Sequence, residues 1–411
     1  MNVPRLRFQG FKGDWLESRI NQITSYVDYR GKTPTKVESG VFLVTAKNVR
    51  MGYIDYENSK EFIAEDDYGN VMSRGKPVVG DVLITTEAPM GNIASVDRDD
   101  IALAQRIIKL RGIEAILQNE FLKYRLQSKQ FQEKLTALSS GGTVKGIKGS
   151  VLHKIQVLIP AIGEQQKIAL FLSKIDQKIS LLSKKHEFLV QYKKGVMQKI
   201  FSQEIRFKDT VGKNFPEWRI EKISSISSLI TKGTTPTSIG CQFTKSGINF
   251  IKVESLAANG DFIPNKFAYI DEDCHKKLAR SQLEKNDILF SIAGAIGRIA
   301  IVKEELLPAN TNQALALIRI SHEIRLSPQF LFHVLSSESI QKYAVDSTSQ
   351  LAQANLSLGD LGCIEIPIPS LEEQVKITEF LLFVAKKVEI VNTQLELTKK
   401  YKQGLLQQMF I

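Results

Sequence analysis

The chain has 411 residues, 43% hydrophobic and 24% charged, the composition of a soluble protein with enough apolar mass for at least two domains. Residues 1–15 hold no apolar leader core, and the longest apolar stretch, residues 288–302, is short and carries Arg298, so neither secretion nor membrane spanning is expected and a cytoplasmic location is. Cys241, Cys274 and Cys363 are too scattered for a disulfide framework or zinc knuckle, and the net charge of +11 sits mainly in residues 1–201, leaving residues 202–372 almost neutral, so charge alone names no polyanionic partner.

Read in order, the chain says nearly everything twice. Arg7-Phe8 precedes Trp15, and Arg206-Phe207 precedes Trp218. Gly31-Lys32-Thr33-Pro34-Thr35 is answered by Gly233-Thr234-Thr235-Pro236-Thr237, and residues 40–44 by residues 247–251. Residues 80–84 and 286–290 read as apolar strands, each followed by a glycine turn and a returning β-branched strand (residues 91–94 and 297–300). Ala104-Gln105-Arg106 aligns with Asn312-Gln313-Ala314, and a further strand follows each. Residues 120–126 and 329–335 have helical spacing, and short strands at 155–159 and 364–368 lead to a proline in each copy.

Those prolines, Pro160 and Pro369, open the two longest periodic runs, each beginning with Glu-Gln-x-Lys-Ile. In the first, Ile168, Ile175, Leu182, Leu189 and Val196 fall at heptad position d, and Leu172, Ile179, His186, Lys193 and Ile200 at a. The register survives an offset of 209 as Ile377, Val384, Val391, Thr398 and Leu405 at d, with Leu381, Val388, Leu395, Lys402 and Met409 at a. At 1.5 Å per residue each helix is about 57 Å long, a length suited to a coiled coil whose two strands run antiparallel. Lys193 and Lys402, polar residues within an apolar seam, are placed to fix register or face a partner. The expected fold is therefore mixed α/β (α+β): a globular domain (1–163), a long helix (164–201), a second globular domain (202–372) and a second long helix (373–411). A rigid spacer holding two similar modules suits a ligand with two separated sites, such as duplex DNA read in half-sites.

Together, in order and duplicated, these motifs resemble the specificity subunit of type I restriction-modification enzymes, across essentially the whole chain. The resemblance implies a prokaryotic, non-catalytic subunit in which each globular domain reads one half of a bipartite, interrupted DNA target. It further implies that the helices set the gap and dock two adenine-methyltransferase subunits, with restriction (translocase and nuclease) subunits joining them. S-adenosylmethionine, ATP and magnesium would then be used by the partners and none by this chain. The sequence agrees in lacking a phosphate-binding Gly-x4-Gly-Lys loop, an Asn/Asp-Pro-Pro-aromatic motif, a nucleophile elbow and His-Glu-x-x-His. A coiled-coil adaptor that reads no DNA, and an enzyme with an unfamiliar site, are the competing classes.

Candidate DNA contacts follow from residue chemistry on the duplicated loops. Lys32, Thr33 and Thr35, with Lys232, Thr234, Thr235 and Thr237, offer hydroxyls and amines on the Gly-x-Thr-Pro loops, which also read as ordinary turns. Lys47 and Asn48, and Lys252 and Glu254, follow matched strands and carry base-reading groups, with plain loop polarity as the alternative. Gln105, Arg106, Asn312 and Gln313 lead into a strand and either meet DNA or satisfy buried backbone, and Arg298 lies in the second glycine turn. Lys145 and Lys148 lie in a Gly-Lys loop whose counterpart holds Ser349 and Gln350. The coiled-coil and partner-binding set is Ile168, Leu172, Ile175, Ile179, Leu182, Lys193, Ile377, Leu381, Val384, Val388 and Lys402. The first module departs from the second at Ala88-Pro89-Met90, against Gly294-Ala295-Ile296, and at Ala104, against Asn312, which suits two modules reading different half-sites.

Overall fold

The structure, a computed structural model, describes residues 3–29, 31, 33–141, 145–347 and 355–411. It divides into two compact units, Met1–Lys184 with Asn392–Ile411, and Lys185–Val391. These cut across the four segments read from the sequence, because each unit takes in part of both long helices, Ile162–Phe201 and Leu371–Gln408.

The first unit contains β1 (Leu16–Arg19), β2 (Thr24–Asp28), β3 (Val41–Val44), β4 (Phe62–Ile63), β5 (Val82–Thr86), β6 (Met90–Ser95), β7 (Ile101–Leu103), β8 (Ile107–Gly112) and β9 (Gln156–Ile159). They form a four-stranded sheet in the order β2-β8-β5-β6, a three-stranded sheet β4-β3-β7 in which β3 and β7 are parallel, and the pair β1-β9. The second unit repeats this with β10 (Arg219–Lys222), β11 (Ser227–Lys232), β12 (Ile248–Ile251), β13 (Ala268–Ile270), β14 (Ile288–Ser291), β15 (Ile299–Ile301), β16 (Ala309–Thr311), β17 (Leu315–Ile320) and β18 (Glu365–Ile368). Its sheets are β11-β17-β14-β15, β13-β12-β16 and β10-β18. The hairpins expected from the apolar runs are β5-β6 and β14-β15, both antiparallel.

The reason β5 and β14 are uniformly apolar is that both their faces are covered. Alternation sends Val82 and Ile84 to one core and Leu83 to another, and in the second unit sends Ile288 and Phe290 to one core and Leu289 to another. Each such burial contributes about 1.5–3 kcal/mol. The sheet's open end is pinned by charge. Asp81, almost fully buried, accepts from Arg111 at 2.6 and 2.9 Å and lies 3.1 Å from Lys109, and Asp287 accepts from Arg319 at 2.8 Å. Burial alone would raise the Asp81 carboxyl, but bonds from Arg111, the Val78 N–H and Lys109 outweigh it and hold it below the usual carboxylate range.

The Glu-Gln at each long-helix start has a structural cause. Glu164, 1% exposed, takes a two-pronged bond from Arg7 (both 2.8 Å), and Glu373, 0% exposed, takes one from Arg206 (3.2 and 2.9 Å). Gln165 accepts from the Gln118 N–H and donates to the Ile116 and Pro160 carbonyls, and Gln374 does the same with Ser327, Arg325 and Pro369. Each pair thus fastens a helix N-terminus to its module and satisfies backbone groups that burial would orphan.

The heptad seam is the interior face of both helices: Ile168, Leu172, Ile175, Ile377, Leu381 and Val384 are buried, while Ile179, Leu182 and Val388 are half-buried. In the first unit Ile168, Leu172 and Ile175 share a core with Leu405 and Met409, and in the second Val196 and Ile200 share one with Ile377 and Leu381. In each unit, then, the start of one long helix lies with the end of the other, as antiparallel pairing requires. Lys402 is paired inside the first unit, its ammonium 2.6 Å from Asp176.

Candidate nucleic-acid interface

In the first unit, the ends of β3, β5, β7 and the start of β8 surround two adjoining clefts. One is lined by Thr33, Lys47, Ala88 and Ala104, the other by Glu87, Ser140 and Lys148, and Gln105 and Arg106 belong to both. Five residues chosen from four separate loops, Thr33, Lys47, Gln105, Arg106 and Lys148, are therefore brought together. Thr35 and Lys145 are exposed nearby in sequence but do not line either cleft, and Lys32 lies outside the described residues. Thr33, Lys47, Arg106 and Lys148 are exposed and Gln105 is half-buried, so the wall offers hydroxyl, amine, guanidinium and carboxamide groups to a ligand.

Asn48 does not belong to this surface. It is fully buried, its Oδ1 accepting from the Thr45 N–H (2.9 Å) and hydroxyl (2.7 Å) and its Nδ2 donating to the carbonyls of Asp55 (3.0 Å) and Asn58. With every donor and acceptor spent on the turn after β3, it stabilises that turn and has nothing left for a base.

In the second unit the Gly-x-Thr-Pro loop closes against the segment before β17. Gly233 donates its N–H to the Asn312 carbonyl, and a Cβ there would lie 1.7 Å from the Thr311 carbonyl oxygen, so only glycine fits. This approach lets the Thr235 hydroxyl donate to Gln313 Oε1, while Thr234 accepts weakly from Arg280 at 3.4 Å. Thr237 is exposed in the 3-10 turn Pro236–Ile239, and Lys232 is half-buried at the end of β11. Asn312 caps its own turn through the Ala314 N–H at 3.2 Å. Lys252 and Glu254 pair with each other at 2.8 Å, and the bond from Lys252 holds the Glu254 carboxyl below its ordinary range.

Arg298 is half-buried and donates to the carbonyls of Val253 (3.2 Å) and Leu256 (2.8 Å), so it ties the β14-β15 hairpin to the loop after β12 instead of facing a ligand. Asn92, its counterpart, does the same toward the Val49 carbonyl at 2.8 Å. Ser349 and Gln350 lie outside the described residues. Sequence reading missed Glu87 and Arg280, which lay on stretches where the two copies diverge. The signal for Glu87 was its pairing with Arg106, visible only once both loops are folded.

Each long helix also carries exposed apolar residues on its outer face. Leu181 and Phe188 on the first helix, and Phe383, Ile390 and Leu397 on the second, are exposed and recur every seven residues. Leu181 matches Ile390 and Phe188 matches Leu397 at the offset of 209, while Phe383 answers Lys174. Exposed apolar residues in such a repeat are characteristic of a surface that meets another chain. Ile168, Leu172, Ile175, Ile377, Leu381 and Val384 of the seam are buried within their own units, whereas these outer residues are exposed. Among the described residues no group of acidic, histidine or cysteine side chains could hold a metal, and no helix is long and apolar enough to cross a membrane.

The pattern of the type I restriction modification DNA specificity domain matches residues 14–190 and 216–399, one match per repeat. The chain is 29% identical over 332 residues to the EcoBI specificity subunit of Escherichia coli, covering 75% of this chain and 68% of that one. It is 24% identical to the MjaVIII specificity subunit of Methanocaldococcus jannaschii, covering 96% and 91% of the two. In fold it is similar to the type I restriction-modification S subunit from M. genitalium, with a TM-score of 0.61, 16% identity and coverage of 100% and 99%. A chain from a type I R-M system studied for complex assembly and conformational transition gives a TM-score of 0.57 at 19% identity, over 95% and 96%. With two family matches that together span most of its length, the chain belongs to the type I restriction-modification DNA specificity family, as a specificity subunit.

Proposed function

We propose that each globular module reads one half of an interrupted duplex-DNA target and that the long helices set the gap between the halves. Two adenine-methyltransferase subunits dock on the repeated outer stripes of those helices, and restriction subunits join that core. The chain itself is non-catalytic: it positions partners that use S-adenosylmethionine for methylation, and ATP with magnesium for restriction. The observation that carries this reading is the repeat, in which one sheet arrangement occurs twice with matched loops holding different side chains. Equal scaffolds with unequal loop chemistry are what two readers of different half-sites require.

Genomic DNA from cells co-expressing this chain with its methyltransferase subunit should show a new interrupted motif methylated on both strands. Adding seven residues to one long helix should then change the gap and leave the half-site bases as they were. Altered bases with an unchanged gap would sink the spacer role, and a stable complex that adds no methylation would sink the specificity role.

A further inference from the structure

The repeat makes one difference between the two modules exact. Thr86 N–H bonds the Arg106 carbonyl in the first unit, and Ile292 N–H bonds the Ala314 carbonyl in the second. The isolated bridges Glu87 to Gly146 and Ala293 to Asn355 continue the match by one residue. Glu87 therefore corresponds to Ala293 and Arg106 to Ala314: an acid and a base that meet in one module are both alanine in the other. Their charged groups are 3.5 Å apart, and both side chains are about half exposed, at 44% and 49%. Arg106 holds φ at +72°, a backbone conformation that side chains other than glycine rarely adopt, and it sits where the two clefts join.

Resting on the proposed reading of half-sites, we infer that Arg106 is a specificity-determining residue of the first module, reading a guanine in the major groove with Glu87 as its positioning residue. A guanidinium presents parallel N–H donors that match guanine O6 and N7, and a neighbouring carboxylate restrains the long side chain in that presentation. A phosphate contact alone would gain nothing from an acidic neighbour, which lowers the local positive potential. Gln105 and Gln313 occupy one position in both modules, so they do not account for a difference between half-sites. The second module has no charged pair at the matched place and places no such demand on its half-site.

The test maps methylation motifs in cells expressing the methyltransferase subunit with the wild-type chain, Arg106→Gly, Arg106→Lys or Glu87→Gln. Glycine adopts the left-handed backbone freely, so Arg106→Gly removes the guanidinium without disturbing the loop. Lysine keeps the charge and loses the two-pronged fork. The expected result is that one guanine position, in one half-site only, loses its preference by about 10-fold or more in both Arg106 variants, with gap and other half-site intact. Glu87→Gln should weaken the same preference to a smaller degree. An unchanged motif methylated uniformly less in Arg106→Gly, and normally in Arg106→Lys, would make Arg106 a phosphate contact and overturn the inference alone. A wild-type chain that yields no interrupted motif would instead overturn the half-site reading on which it rests.

Discussion

The two units use one socket for different contents. Where the helix Asn119–Gln127 faces the long helices, the first unit places Tyr124, Asp176 and Lys402 together: the Tyr124 hydroxyl donates to Asp176 at 2.8 Å, and Lys402 reaches the other carboxylate oxygen at 2.6 Å. The repeat puts His333, Ala385 and Lys193 at the same positions of the second unit. There the carboxylate is gone, and no ion pair replaces it among the described residues. Burial lowers the Lys193 ammonium, and burial followed by the Lys193 charge pushes the His333 imidazole down to about 4. A half-buried lysine survives in both repeats, but one unit pairs it with a carboxylate and the other holds it beside a neutral histidine. A second contrast runs the other way. Trp218 donates its indole N–H to Glu373 at 2.8 Å, whereas Trp15 Nε1 finds no partner among the described residues, so there the acid opening the second long helix is held by two donor side chains and that opening the first by Arg7.

These contrasts set an order of effects. Arg7→Ala strands Glu164 as a buried charge and should cost about 3–5 kcal/mol. Arg206→Ala should cost roughly 1–2 kcal/mol less, since the Trp218 bond to Glu373 remains. Urea denaturation, with hydrogen exchange followed at each helix start, reads both. Equal losses would mean that the indole bond contributes nothing.

Acid should separate the units next. The folded His333 binds its proton near pH 4 and the unfolded chain binds it near 6.5, so its contribution is complete above 6.5 and is lost as pH falls through 4. Between pH 7 and pH 5 the second unit should lose about 2 kcal/mol from this group. Tyr124, which stands at the matched position of the first unit, is neutral throughout that range, its hydroxyl pushed up by burial and then by Asp176, so it adds no such term. His333→Gln should remove that increment of acid sensitivity, and a variant as acid-sensitive as the wild type would refute the assignment. The smallest effect concerns the missing acid. Ala385→Asp should give Lys193 the partner that Lys402 has and raise the second unit's stability by about 1 kcal/mol, net of the burial cost. A loss of stability in the urea midpoint would show that this socket has lost the room for a carboxylate.

Much of this architecture was legible in one sequence because periodicity and repetition report backbone geometry directly. The apolar runs at β5 and β14, the glycine turns after them and the heptads after Pro160 and Pro369 specify strands, hairpins and long helices by local rules. Duplication supplied the two-module plan, and even the outer stripe was present as Phe383, Ile390 and Leu397, masked by the stronger seam beside it. What a polar loop residue does was decided only on folding. Asn48 and Arg298 looked like surface groups and instead satisfy carbonyls of chain that folds back over them. Thr235 and Gln313 are 78 residues apart and meet because Gly233 packs on the Thr311 carbonyl. Glu87 finds Arg106, Arg7 finds Glu164, and Asp176 finds Lys402 across gaps in the chain that no local rule spans. Pattern along the sequence determined the elements and their repeat, because each element's period is set by its own backbone. Which polar groups face a ligand and which serve the protein depended on long-range contacts, and only the tertiary structure brings those partners into reach.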